Sequence, residues 1–201
     1  MKKSRRELNK IQCRSRILKM SRRLFTAKGY ENTTMEDIAE ASEVSKATLY
    51  NYFSSKENLL LGIVEAALEE IRQLVTVDLC QEPDSVEKIR QVLETLAVDS
   101  IRYITLTRRI FYLNVSEDNA LHVTRLELLE ILGQLVNEAR ERGQLRQDLT
   151  AEELVDAFMG VYLVTQFGWE DIGQYTEAQC RQKVRRAMDA ILNGLLPAKE
   201  E

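Results

Sequence analysis

The chain has 201 residues, 44% of them apolar and 30% charged, with only 2 prolines, which is a composition suited to a helical globular protein. It lacks any run of about 18 uncharged apolar residues, so no membrane span is expected; three scattered cysteines without a CxxC pair, and a single histidine, exclude a zinc centre of ordinary spacing. The net charge of −4 is unevenly laid out: residues 1–56 hold 13 Lys+Arg against 6 Asp+Glu, and the remainder 15 against 26, so a basic end suited to a polyanion is joined to an acidic body. The opening MKKSRRELNK is basic and has no apolar signal core. A cytoplasmic location with reduced thiols is therefore expected.

The first helix is predicted from about Leu8 to Lys28. Ile17, Leu18, Ser21, Leu24 and Phe25 form its inward stripe, Gly29 ends it, and Lys10, Arg14, Arg16 and Lys19 crowd its first half. Thr34-x-x-Asp37 reads as a capping box for a second helix ending near Ser42, with Met35, Ile38, Ala39 and Ser42 facing inward. Ser45 is a natural N-cap for a third, short helix, and Val44 can staple onto Leu49. Ser54 or Ser55 caps a fourth, predicted from about Lys56 to Leu79. Pro83 and Asp84 then break the chain, and further helical patterns cover about 84–115, 119–142, 150–169 and 176–195. No segment alternates with period two, so the fold is predicted to be all-α.

The third helix poses the functional question. At about 100° per residue, Leu49 and Phe53 mark its buried side. Ala47, Thr48 and Asn51 then point away, with Lys46 and Tyr50 on one flank and Tyr52 on the other. A short helix, a tight turn and a second short helix make the helix-turn-helix layout, whose second helix enters the DNA major groove. Asn51 can pair with base edges, and Thr48 offers a hydroxyl or a methyl. Ala47 permits close approach, and the tyrosines can reach phosphates and sugars. Lys46 and Lys56 supply charge to phosphates, and Thr33 or Thr34 can add a hydroxyl.

The run LFTAKGYENTTMEDIAEASEVSKATLYNYFSSKENLL, residues 24–60, resembles the DNA-binding domain of the tetracycline-repressor (TetR) family of bacterial transcription regulators. The resemblance is carried by Leu24-Phe25, Gly29-Tyr30, Thr33-Thr34, Ile38-Ala39, Val44-Ser45-Lys46, Thr48-Leu49-Tyr50, Tyr52-Phe53 and Lys56-Glu57. One departure is Glu43, where the family commonly has glycine. The resemblance implies DNA contacts from Ala47, Thr48, Tyr50, Asn51 and Tyr52 and phosphate contacts from Lys46 and Lys56. It divides the chain into a helix-turn-helix domain, residues 1–55, and a larger helical regulatory and dimerisation domain, residues 56–201.

Residues 154–169 are apolar nearly all round, and Cys180, Val184, Ala187, Met188, Ile191 and Leu195 form a stripe. By pattern alone both segments serve either a core or a partner. The resemblance implies a homodimer through the last two long helices, for which Phe158, Val161, Thr165, Val184, Met188, Ile191 and Leu195 are the candidate contacts. It also implies a small-molecule effector, with Tyr103, Phe111, Tyr112, His122, Tyr162, Phe167 and Trp169 as candidate lining. Arg102, Arg108 and Arg109 read as solvated charges. No cofactor, metal or catalytic role is expected: no Ser/His/Asp or Cys/His set and no glycine-rich phosphate loop stands out. The expected function is a sequence-specific DNA-binding regulator, a repressor released from a pseudo-palindromic operator by its ligand. The alternative is a helical interaction protein that has kept the fold and lost DNA binding.

Overall fold

The computed structural model describes residues 4–113, 120–167 and 174–193, and among these every regular element is helical. The order is α1 (Arg5–Ala27), α2 (Met35–Ala41), α3 (Lys46–Tyr52), α4 (Lys56–Gln73), α5 (Ser85–Arg102), α6 (Ile104–Leu113), α7 (Ala120–Glu141), α8 (Ala151–Phe167) and α9 (Glu177–Asn193). None of these helices is long and apolar enough to cross a membrane. The chain packs as two compact units, one of Met1–Leu68 with Thr105–Thr124 and one of Glu69–Ile104 with Arg125–Glu201.

In the first unit, local hydrogen bonds set the helix ends. α1 starts at Arg5 rather than Leu8 because Ser4 and Glu7 form a reciprocal capping box. Gly29, at φ +83°, turns the chain out of α1. The expected Thr34–Asp37 box is present in both directions, at 2.9 and 3.1 Å. Apolar side chains from each helix meet in one core: Ile17 and Phe25 of α1, Ile38 of α2, Leu49 of α3 with Phe53 just beyond it, and Leu59 and Ile63 of α4. Each is worth roughly 1.5–3 kcal/mol relative to exposure. Gly62 lets α4 come close, since a Cβ there would lie 2.8 Å from the Phe53 ring and 3.0 Å from Leu18.

The α2–α3 turn is a Schellman motif. Val44 N–H donates to Ala39 and Glu43 N–H to Glu40, each at 3.0 Å. Glu43 occupies the left-handed position at φ +53°, which a side chain tolerates poorly. Glu43→Gly is therefore expected to raise stability by about 0.5–1 kcal/mol, the relieved strain exceeding the entropy gained by the unfolded chain. Chemical denaturation of the two proteins measures it.

In the second unit α5 packs against both α8 and α9. Ile89, Val92, Leu93 and Ala97 of α5, Leu132 and Val136 of α7, Phe158 of α8, and Val184 and Met188 of α9 are all essentially inaccessible. Asp84 caps α5 by accepting from the Val86 and Glu87 amides. The predicted 84–115 helix is two helices, parted at Tyr103 (φ −138°, ψ 36°). α4 likewise stops before Leu79 and gives way to a π-helical turn, Leu74–Asp78.

Burial within the single chain places the expected dimer contacts. Phe158, Val161, Thr165, Val184 and Met188 lie within the chain's own core, none more than 6% exposed. Of the seven candidates Ile191 stays accessible, at 41%, and Leu195 lies outside the described residues. The apolar side chains that α8 turns to solvent are Leu163 and Val164.

Candidate nucleic-acid interface

α3 is short, so its orientation depends on its ends and on one buried side. Ser45 caps it, accepting from the Thr48 amide at 3.0 Å. Leu49, fully buried, and Phe53, 4% exposed, fasten its inner face. The outer face presents Lys46, Ala47, Tyr50 and Asn51 to solvent, with Thr48 and Tyr52 half-buried beside them. Tyr50 is 47% exposed, a large aromatic surface that the fold leaves uncovered.

The flanking groups are less free than their positions in the sequence suggest. Lys46 pairs with Glu36 of α2 at 2.9 Å, and this contact holds the Glu36 carboxyl below its usual range. Both side chains are more than half exposed, so the pair is weak and opens readily toward a phosphate. The Thr48 hydroxyl lies 2.8 Å from that of Ser45. Tyr52 turns toward α1: partial burial, then a hydrogen bond with Cys13, push its phenol up.

Two of the residues expected at phosphates have partners within the fold. Thr33 is fully buried, and its hydroxyl donates to the Gly29 carbonyl at 2.8 Å and lies 3.3 Å from that of Leu24. It closes the α1–α2 connection, which leaves Thr34, exposed at the α2 N-cap, as the accessible hydroxyl. The Lys56 ammonium donates to the Tyr30 and Glu31 carbonyls at 2.9 and 3.3 Å, and lies 4.7 Å from the Tyr30 ring centroid. It ties α4 to the same connection. On α1, Arg14 is similarly engaged, over the Phe53 ring and paired with Glu65, whereas Arg5, Arg6, Lys10, Arg16 and Lys19 are exposed.

The α1–α2 connection is the feature that sequence reasoning passed over. The Lys28 ammonium meets Asp37 at 3.0 Å, and the ring of Tyr30, 7% exposed, packs at 4.9 Å against Phe25. The Thr34 amide, then Lys28, hold the Asp37 carboxyl down at about 2. Burial, then the Glu57 carboxylate, hold the Tyr30 phenol well above its usual range. The Gly29-Tyr30 pair marked this connection, but nothing in its spacing disclosed the partners brought from α4 and α6.

In the second unit the Tyr162 hydroxyl is satisfied by Ser100 at 3.0 Å, and Tyr103 and His122 are half-buried. A cavity of about 440 Å³ lies among Val86, Leu145, Leu149, Leu154, Phe158 and Ile191; Tyr103, His122 and Tyr162 do not line it. Trp169 and the side chains of Phe111, Tyr112 and Phe167 lie outside the described residues. No cluster of metal-ligating side chains occurs among the described residues.

Two family descriptions match the chain: "Bacterial regulatory proteins, tetR family" over residues 17–63, and "Transcriptional regulator SbtR-like, C-terminal domain" over residues 86–197. The transcriptional repressor DhaR of Mycobacterium sp. (strain GP1) is 24% identical over 194 residues, covering 93% of this chain and 94% of DhaR. The regulator YfiR of Bacillus subtilis is 33% identical over 114 residues, 50% of this chain and 54% of YfiR. Among solved structures, the repressor FadR of Thermus thermophilus, in complex with lauroyl-CoA, superposes with a TM-score of 0.58 at 26% identity, covering 93% of this chain and 97% of FadR. With an exposed, capped reading helix over the first match and a helical unit over the second, this chain belongs to the TetR family and is a DNA-binding transcriptional regulator.

Proposed function

We propose that this protein is a homodimeric repressor that reads a pseudo-palindromic operator with one α3 from each copy and leaves it when a small molecule binds. The observation that carries DNA reading is the outward face of α3, where Ala47, Tyr50 and Asn51 are exposed on a helix whose other side is locked into the core. Residues 1–55 are assigned to DNA reading and 56–201 to effector response and dimerisation, acting in the cytoplasm where the chromosome lies. Two such helices about 34–36 Å apart would enter successive turns of one groove face. The faces of α8 and α9 available for pairing carry Gly160, Leu163, Val164 and Ile191. For the effector, acyl-CoA thioesters are the first class to test, because FadR of Thermus thermophilus was solved with lauroyl-CoA and AibR with isovaleryl coenzyme A.

Selection of bound DNA from a random pool tests the reading. A two-fold symmetric site is expected. Asn51→Ala should change the preferred base at one position of each half-site, costing about 1–3 kcal/mol there. Lys46→Ala should weaken binding to all sequences alike and lower the salt slope by about 0.9 for each phosphate that Lys46 neutralises. If the pool yields no enriched site, or both variants select and bind as the wild type does, α3 does not read DNA.

A further inference from the structure

Tyr30 and Glu31, in the connection before α2, receive contacts from two distant helices. From α4, Lys56 binds both their carbonyls, and Glu57 accepts the Tyr30 hydroxyl at 3.1 Å. From α6, the Arg109 guanidinium lies 4.3 Å from the Tyr30 ring centroid and 2.6 Å from the Glu31 carboxylate. The Nε of Arg109 is buried without a hydrogen-bond partner, so this side chain is held by its stack and its ion pair. An ion pair with Glu31 at 71% exposure adds little to stability, and a cation over a ring adds only modestly at an exposed site. The contact is geometrically specific all the same: a flat guanidinium on a buried ring fixes where the connection sits. Thr34, the cap of α2, follows Glu31 by three residues, and α2 packs on α3.

We propose that Arg109 is a positioning residue for DNA reading, acting through Tyr30 and Glu31 to set the seat of α2 and α3. The proposal rests on the DNA-reading assignment above and deepens it by naming a contact that seats the reading helix. Arg109 stands five residues past Ile104, where the chain passes from the second unit into the first. Lysine cannot replace it fully, because an ammonium does not stack flat on a ring and pair sideways at once.

The test uses the full-length wild type, Arg109→Ala, Arg109→Lys, Tyr30→Leu and the Arg109→Ala/Tyr30→Leu double variant. Operator affinity is measured on the selected site over a series of salt concentrations, and amide hydrogen exchange on the free proteins. Arg109→Ala is expected to weaken operator binding about two- to fivefold, with Arg109→Lys between it and wild type. The slope of log affinity against log salt should stay as in wild type, because Arg109 meets no phosphate; removing a cation that does meet one would lower it by about 0.9. Exchange at Thr33 to Val44 should speed up at least about threefold, and Arg109→Ala should do no further harm in the Tyr30→Leu background. Unchanged operator affinity, a lowered salt slope, an additive double variant or unchanged exchange would each overturn the proposal. The exchange measurement needs no DNA, so it judges Arg109 even where the operator reading itself fails.

Discussion

Leu163→Asp is expected to turn the proposed dimer into monomers and to lower operator affinity by about 100- to 10,000-fold. That range follows from removing the effective concentration that one bound reading helix gives the other. Leu163 and Val164 are 39% and 51% exposed on α8, and Ile191 is 41% exposed on α9. A Cβ at Gly160 would meet nothing within 4 Å, so a partner helix can approach the backbone there. A carboxylate at the centre of such a face would have to be desolvated without a cation to meet it. Because Leu163 is accessible within one copy, its replacement should change the stability of that copy by no more than about 0.5 kcal/mol. Met188→Ala is the contrast: fully buried in the same helical layer, it should cost about 2–5 kcal/mol through a cavity in the core. Sedimentation velocity, denaturation and operator binding on the two variants separate the cases. A dimeric Leu163→Asp protein with wild-type affinity would place the pairing face elsewhere.

Arg185→Ala is expected to destabilise the second unit by about 3 kcal/mol. Glu94 of α5 has only 5% of its side chain exposed. Its carboxylate is met by Arg185 at 2.8 Å and by Arg181 at 3.4 Å, both from α9. Arg185 also reaches Glu87 at 3.0 Å, and Arg90 of α5 extends the chain of charges to Asp189 at 2.9 Å. The two α9 arginines are nearly half exposed and can return to water when their partner is removed. Glu94 cannot, so deleting Arg185 leaves a buried charge with only a long contact. Glu94→Gln in the Arg185→Ala background should restore most of the stability, and denaturant titration of the three proteins measures it. If Arg185→Ala were as stable as wild type, the cluster would be an ordinary solvated surface network.

In the sequence these charges are simply part of the helical pattern over about 84–115. Glu87, Arg90 and Glu94 are as polar as any solvent-facing set, and no spacing rule marks Glu94 as buried. The partner of Tyr162 was equally hidden. Tyr162 is a core residue whose hydroxyl is answered by Ser100, a partner 62 positions away. Thr33 and Lys56 were assigned outward roles by type, yet each turns its polar atom onto a backbone carbonyl. Arg109 read as a solvated charge and instead holds Tyr30 and Glu31.

By itself the sequence determined the all-helical class, the Thr34–Asp37 and Ser45 caps, and the outward face of α3. These depend on hydrogen bonds three residues apart and on a fixed helical period, both local properties. Only the tertiary structure decided that Phe158, Val161 and Thr165 face inward on α8 while Leu163 and Val164 face out, because a helix apolar all round carries no preference of its own. It alone decided the break at Tyr103 and the convergence of α4 and α6 on Tyr30. Pairings between residues far apart in the chain are selected by the packing of whole elements, and no short window of sequence contains both partners.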